Sequence, residues 1–203
     1  MSAHPAVLPT DELEQLHERC RGCTACPELV ATRSRVVVGD VNEGARLVVL
    51  GEAPGAQEDL TGRPFVGRSG QLLDRLLGEA GLPRDGLHVL NSVKCRPPGN
   101  RPPTRAETAA CRPWLTTQLA LLRPELVVAL GLSATRWFLG PTALGPVRGR
   151  VHDADVEGVG PLRVLPTWHP SGALRGGPAG EPLRELAADL RRAALALEGT
   201  PAR

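Results

Sequence analysis

Five cysteines, at positions 20, 23, 26, 95 and 111, carry the most evident chemistry of this 203-residue chain. Three crowd into CRGCTAC as two overlapping CxxC steps, while Cys95 and Cys111 flank RPPGNRPPTRAETAA, so two pairs could close on one centre. An odd number of cysteines without a secretory leader argues against a disulfide framework. Thiolates unaccompanied by histidine suit either zinc or an iron-sulfur cluster, and spacing does not separate the two. Buried inert thiols are the third reading. Cys95 and Cys111 lie too far apart for the double knuckle of a zinc ribbon, and Pro27 and Pro97 stand beside the sulfur-bearing positions. Bridging the 20–26 segment to residue 95 would also close a long loop, which leaves a purely structural role open.

The rest of the composition excludes more than it asserts. Lys94 is the one lysine, and it sits in NSVKC rather than after a glycine-rich turn, so no Walker P-loop is present. A Schiff-base mechanism would have only Lys94 or the terminal amine. A net charge of +2 is too small for a bulk argument about polyanion binding. The 23 glycines and 20 prolines stay below the roughly 25–30% that marks low complexity, and they announce sharp turns instead. No run of about 18 apolar residues exists, and MSAHPAVLPTDELEQ lacks the basic-then-apolar order of a leader, so a cytoplasmic protein without a membrane partner is expected.

Periodicity places these residues on elements. Residues 11–22 read as a helix with Leu13 and Leu16 on one side. The apolar run 47–50 reads as a strand bounded by Gly51. Ser69 is expected to cap a helix carrying Leu72, Leu73, Leu76 and Leu77, which stops at Gly81 and Pro83. Residues 87–93 read as a second strand, and Thr104 with Glu107 forms a capping box for a helix reaching about Leu122. A third strand is expected at 125–130, a short helix with Trp137 and Phe138, a hairpin within 145–160, a fourth strand at 162–165 and a last helix at 181–197. The expected fold class is therefore α/β: one domain over 11–198 with short tails at 1–10 and 199–203, and a central four-stranded parallel sheet flanked by helices. Ligands of such sheets bind beyond the carboxyl ends of the strands. There the chain places GEAPG, Asn91 with the Lys94-Cys95 turn, Gly131 and WHPSGALR. Neither GxGxxG nor GxSxG is among them, which argues against dinucleotide binding and acyl hydrolysis.

CTACP, GEAPGAQEDLTGRPFVGRSGQLLDRLL, NSVKCRPPGNRPPTRAETAAC and WHPSGALR, in this order over residues 20 to 195, resemble the family 4 iron-sulfur uracil-DNA glycosylases. The resemblance implies a 4Fe-4S cluster held by Cys23, Cys26, Cys95 and Cys111, with Cys20 spare or replacing a neighbour. It implies a hydrolase of base excision repair, acting on uracil-containing DNA after cytosine deamination. Glu52, Ala53 and Pro54 would lie beside the flipped base, Phe65 would stack on it, Asn91 would read its edge and His169 would meet its carbonyl. Catalysis would fall to His169 and Glu52, and the segment around Leu174 and Arg175 would insert into DNA and hold the gap. Arg96, Arg101, Arg105 and Arg112, which surround the Cys95 and Cys111 pair, favour phosphate contact on their own account.

The chemistry is consistent with each role. A base must leave the duplex to be reached, at a cost of a few kcal/mol. An aromatic face returns roughly 1–3 kcal/mol per stacked base. An asparagine offers an acceptor and donors together, matching uracil N3–H and O4, where cytosine presents the reverse. Taken singly, Phe65 also fits a core aromatic, Asn91 a turn cap, His169 a surface imidazole and the arginines a solvated face.

Where better-known uracil glycosylases carry an aspartate in the first motif this chain has Ala53, which leaves Glu52, Glu58 and Asp59 as nearby carboxylates. Where those relatives have a tyrosine it has Gly55. The His-containing insertion of a DNA-trapping branch is absent, so turnover is expected, and the single lysine argues against a coupled lyase step. A metal-dependent phosphoesterase would need more carboxylates or histidines at the strand ends. The stronger rival is a non-catalytic iron-sulfur nucleic-acid-binding module, which would need the cysteines and arginines but not Phe65, Asn91 and His169 together. Nothing calls for an obligate dimer, and a monomer is expected.

Overall fold

A computed structural model describes residues 10–177 and 179–199. Five strands form one sheet in the order β2-β1-β3-β5-β4: β1 Leu47–Gly51, β2 His88–Asn91, β3 Leu126–Leu130, β4 His152–Val156 and β5 Gly160–Thr167. The four expected strands are all present and mutually parallel, but the sheet is not four-stranded. β4 adds an antiparallel edge to β5. Its sequence HDADV alternates in burial, so Asp153 and Asp155 hold charge on the exposed face of the edge strand, a pattern that discourages pairing with another chain. The hairpin expected within 145–160 is not contained there: only its first arm, β4, lies in that stretch, and its second arm is the fourth core strand, β5.

Residues of the parallel strands are apolar on both faces, because helices cover both. Val48, Leu50, Val127, Ala129 and Val164 pack with Leu13 and Leu16 of α1 (Thr10–Arg21), Leu115 and Leu119 of α5 (Arg105–Leu122), and Trp137 and Phe138 of α6 (Gly131–Leu139). Leu47, Val49, Val128, Leu130 and Leu165 face the leucines of α4 (Arg68–Glu79) and Leu186 and Leu190 of α9 (Glu181–Glu198). The short helices α2 (Pro27–Thr32), α3 (Ala56–Thr61), α7 (Leu144–Val147) and α8 (Pro170–Arg175) complete the chain order. At four to six residues, none is long enough to show a helical period in sequence.

Two local expectations need correction. Ser69 does not cap α4, whose N-cap is Gly67; the Glu58 side chain takes up the amides of Val66 and Gly67 instead. β2 ends at Asn91, although Ser92 and Val93 still donate to the Gly51 and Glu52 carbonyls. The Thr104–Glu107 capping box forms as expected, each side chain meeting the other's backbone N–H at 3.2 and 2.7 Å. Of the expected tails, Thr10 already belongs to α1 and Gly199 caps α9, while residues 1–9 and 200–203 lie outside the described residues.

Candidate functional site

The parallel register puts Gly51 beside Asn91 and Leu130 beside Thr167, so four strand ends open onto one edge. Side chains crowd there because glycines leave room. A Cβ at Gly51 would lie 2.4 Å from Asn91 Oδ1 and 2.5 Å from Phe65 Cζ. Gly131, at φ +83°, keeps the start of α6 clear of His169, whose Cβ would be 2.9 Å from a Cβ there. Phe65 itself holds φ +50°, a left-handed conformation that a bulky residue rarely adopts. Three groups hold it. Gly70 permits the close approach of the Phe65 carbonyl, Arg84 Nη1 donates to that carbonyl at 3.0 Å, and Glu58 binds the two amides that follow at 2.8 Å each. The other oxygen of Glu58 accepts from Gly55 N at 3.1 Å, so one carboxylate ties the GEAPG loop to the RPFVG loop.

Glu52, Ala53, Pro54, Phe65, Asn91 and His169 all line one cavity of about 430 Å3. Asn91 is 2% exposed, and neither its Oδ1 nor its Nδ2 has a hydrogen-bond partner in the protein. The Phe65 and His169 rings lie 5.8 Å apart at 34°. His169 Nδ1 accepts from Ser171 N at 3.2 Å and lies 2.8 Å from Ser171 Oγ. An Nδ1 that accepts from an amide carries no proton, so the neutral ring bears its hydrogen on Nε2. Burial, seconded by Arg175 and opposed by Glu58, lowers the His169 pKa to about 4 and keeps the ring neutral. The preceding residue anchors the loop, Trp168 Nε1 donating to Glu185 Oε2 at 2.6 Å.

Of the three nearby carboxylates, two are committed elsewhere. Glu58 serves the backbone as described, and Asp59 accepts from Ser34 N at 2.9 Å and from Arg35 N at 3.3 Å. Glu52 faces the cavity; burial raises its pKa, and a hydrogen bond with Ser133 opposes the rise.

A neighbouring groove shares Glu52, His169 and Ser171 and is lined by Arg105, Arg112, Arg136 and Arg175. Arg112 lies over the Trp137 ring at 4.4 Å. Leu174, next to Arg175 on α8, is 38% exposed. Arg101 borders the cavity but is bound to Glu107 at 2.7 Å and Glu28 at 3.1 Å; this pairing holds the Glu107 carboxyl at about 2. Arg96 lines neither hollow, and its Nε donates to Asn100 Oδ1 at 2.8 Å.

All five cysteines carry free thiols and line a second, small cavity, walled by Leu29, Val36, Val93 and Trp114. Two N–H groups already point at sulfur: Arg33 Nη1 donates to Cys95 Sγ at 3.0 Å and Lys94 N to Cys111 Sγ at 3.2 Å. Burial raises the pKa of Cys20 to about 12 and of Cys111 to about 11, and it raises those of Cys26 and Cys95 as well. No three His, Cys, Asp or Glu among the described residues are drawn in to the spacing of a single-ion site; the thiols share the walls of a cavity rather than a point.

Sequence reasoning did not anticipate Ser133, Arg33 or the clamp formed by Glu58. Only the last was readable, since Glu58 stands three residues after Gly55 in the spacing of a helix N-terminus. Arg33 and Ser133 meet their partners across the fold.

The uracil DNA glycosylase superfamily model matches residues 38–191. The chain is 46% identical to a type-4 uracil-DNA glycosylase of Thermotoga maritima over 165 residues, covering 80% of this chain and 83% of that one. It is 38% identical to the type-4 enzyme of Saccharolobus solfataricus, covering 94% and 89%, and 41% identical to that of Pyrobaculum aerophilum, covering 81% and 85%. With the match spanning the sheet and the loops that line the cavity, the chain belongs to the uracil DNA glycosylase superfamily.

Proposed function

We propose that this chain is a uracil-DNA glycosylase that hydrolyses the N-glycosidic bond of deoxyuridine in DNA, releasing uracil and leaving an abasic site. The observation that carries the reading is Asn91, a buried amide with both polar atoms unpartnered at the wall of an open cavity. Such an amide costs stability unless a ligand completes it. Uracil does so, its N3–H donating to Oδ1 and its O4 accepting from Nδ2. Phe65 supplies the stacking face. The Nε2–H of a neutral His169 donates to the uracil carbonyl as the C1′–N1 bond breaks and its electron pair leaves with the base. Glu52 stands where a carboxylate favours the sugar cation and takes a proton from the water that bonds to C1′. The proton then passes to solvent, and the uracil anion takes another from water.

The arginine groove beside the cavity suits the phosphates of the flanking strand, with Arg175 in its lining and Leu174 next to it in sequence, while Arg101 borders the cavity and Arg96 lies outside both hollows. Cys23, Cys26, Cys95 and Cys111 fit a 4Fe-4S cluster: four thiols meet at an apolar cavity with N–H donors already aimed at sulfur. When bound, the cluster supplies a cross-link joining the N-terminal segment, the turn after β2 and α5. Burial raises the pKa values of Cys26, Cys95 and Cys111, so without metal these thiols would keep their protons, and binding would displace them. No helix among the described residues is long and apolar enough to cross a membrane, and the protein acts as a monomer on DNA inside the cell.

Cleavage of labelled oligonucleotides bearing one uracil, opposite guanine, opposite adenine or unpaired, tests the reading, with thymine as control. Alkali-dependent breaks at uracil alone are expected. Protein that contains iron and sulfide yet yields no breaks would shift the assignment to a binding module, although relatives named as glycosylases and the unfilled amide argue for catalysis.

A further inference from the structure

Lys94 is the chain's one lysine, is 1% exposed, and has no part in the chemistry above. Its Nζ donates to the Asn91 carbonyl at 2.8 Å and to Gln118 Oε1 at 2.5 Å. Gln118 is itself fixed, its Nε2 donating to Val38 O at 2.8 Å and lying 2.9 Å from His17 Nε2. On its other side Lys94 lines the cysteine cavity, and its charge acts on Cys111 and Cys20. A buried ammonium needs both acceptors and an opposing charge. The two acceptors here are neutral, and the nearby sulfurs, whose pKa values burial raises, would supply opposing charge only where a bound centre displaces their protons. Meanwhile the Asn91 side chain has no partner of its own, so its aim depends on the backbone at the last residue of β2. That backbone is held by its pairing with Gly51 on one side and by Lys94 at the carbonyl.

We propose that Lys94 is a positioning residue: its ammonium grips the Asn91 carbonyl from the cysteine centre and so sets the angle at which the amide reads uracil. The proposal rests on Asn91 being the uracil-reading residue. Because Lys94 acts through Asn91, its loss and the loss of Asn91 should not add.

The test is a double-mutant cycle on the full chain, with Lys94→Met, Asn91→Ala and the double variant each checked for iron content and a cooperative melt. Two readouts are taken. One is kcat/KM for uracil excision. The other is affinity for an oligonucleotide carrying 2′-fluoro-deoxyuridine, which resists base loss, divided by affinity for its 2′-fluoro-deoxycytidine counterpart. Lys94→Met is expected to lose about tenfold in both kcat/KM and the uridine-to-cytidine ratio, where tenfold corresponds to about 1.4 kcal/mol. The double variant should lie within about twofold of Asn91→Ala. Additive losses, or equal loss of affinity for both oligonucleotides, would overturn the proposal. If Lys94→Met does not fold, Gln118→Leu weakens the same grip from the far side and should lower the ratio by several-fold; an unchanged ratio there would overturn it too. Should Asn91→Ala keep full discrimination, the reading of the site fails first, a result distinct from a neutral Lys94 variant beside a damaging Asn91 one.

Discussion

An unsatisfied buried amide costs roughly 1–3 kcal/mol, so Asn91 is held at a cost in stability, as the proposed reading of uracil would require. Asn91→Ala should therefore hold or raise the thermal midpoint while lowering uracil excision by about a hundredfold, measured by melting and single-turnover cleavage; a stability loss as large as the activity loss would contradict this. His169→Ala should cost about 10²–10³ in kcat, the loss typical of removing one donor to a developing anion. The neutral state of His169 makes a sharper prediction. With its pKa lowered to about 4, the ring does not change charge between pH 8 and 6, and kcat/KM should show no inflection near 6.5. Activity should fall only at lower pH, as Glu52, with its raised pKa, takes up a proton and His169 then follows. A pH–rate profile with a histidine-like step at 6.5 would show that burial does not keep the His169 ring neutral.

At the scale of elements, two glycines should respond differently to the same methyl. At Gly70 the added carbon would come within 1.8 Å of the Phe65 carbonyl oxygen, backbone against backbone, at the start of α4. Gly70→Ala should destabilise the protein by more than about 3 kcal/mol and be visible in denaturant melts, because neither segment can yield without unseating the other. At Gly51 the obstacles are the Phe65 ring and the Asn91 amide. Gly51→Ala should fold with nearly normal stability and lose uracil binding, as the side chains swing into the cavity. α4 was legible because leucines at 72, 73, 76 and 77 repeat at helical spacing against the sheet. Its start was misread because Ser69 is a good cap by type, whereas the amides are met by a carboxylate from the preceding helix.

For the whole molecule, acid should be the destabilising direction. His17, His88 and His169 each have a folded pKa lowered to about 4 from 6.5, chiefly by burial. The unfolded chain then binds protons first as pH falls, so this contribution to stability is intact above about 6.5 and drains away between about 6.5 and 4. Each histidine gives a slope of up to about 1.4 kcal/mol per pH unit. Near pH 5 the three together approach about 4 kcal/mol per unit, and chemical denaturation across pH 7.5 to 5 checks it. Glu107, held at about 2 by Arg101, adds stability that is lost only as pH falls further, through its folded value. Protein purified without oxygen should carry iron and sulfide with visible absorbance near about 400 nm; stoichiometric zinc would contradict the cluster.

The four parallel strands, α1, α5 and α9 were written in the sequence because their apolar residues repeat at local periods, and a capping box marks its helix within four residues. The order of motifs along the chain likewise pointed to GEAPG, Asn91 and His169 as one edge, since parallel strands must all end on the same side. The antiparallel β4 was only half legible, five residues of alternating HDADV inside a glycine-rich stretch. What tertiary structure alone decided are relations between distant residues. Arg33 meets Cys95 and Lys94 meets Gln118; Glu58 is taken up by three backbone amides, and the Asn91 side chain is left without a partner. Those contacts depend on distance and burial, which no local period encodes, and they separate Glu58, a carboxylate spent on backbone amides, from Glu52, which faces the cavity.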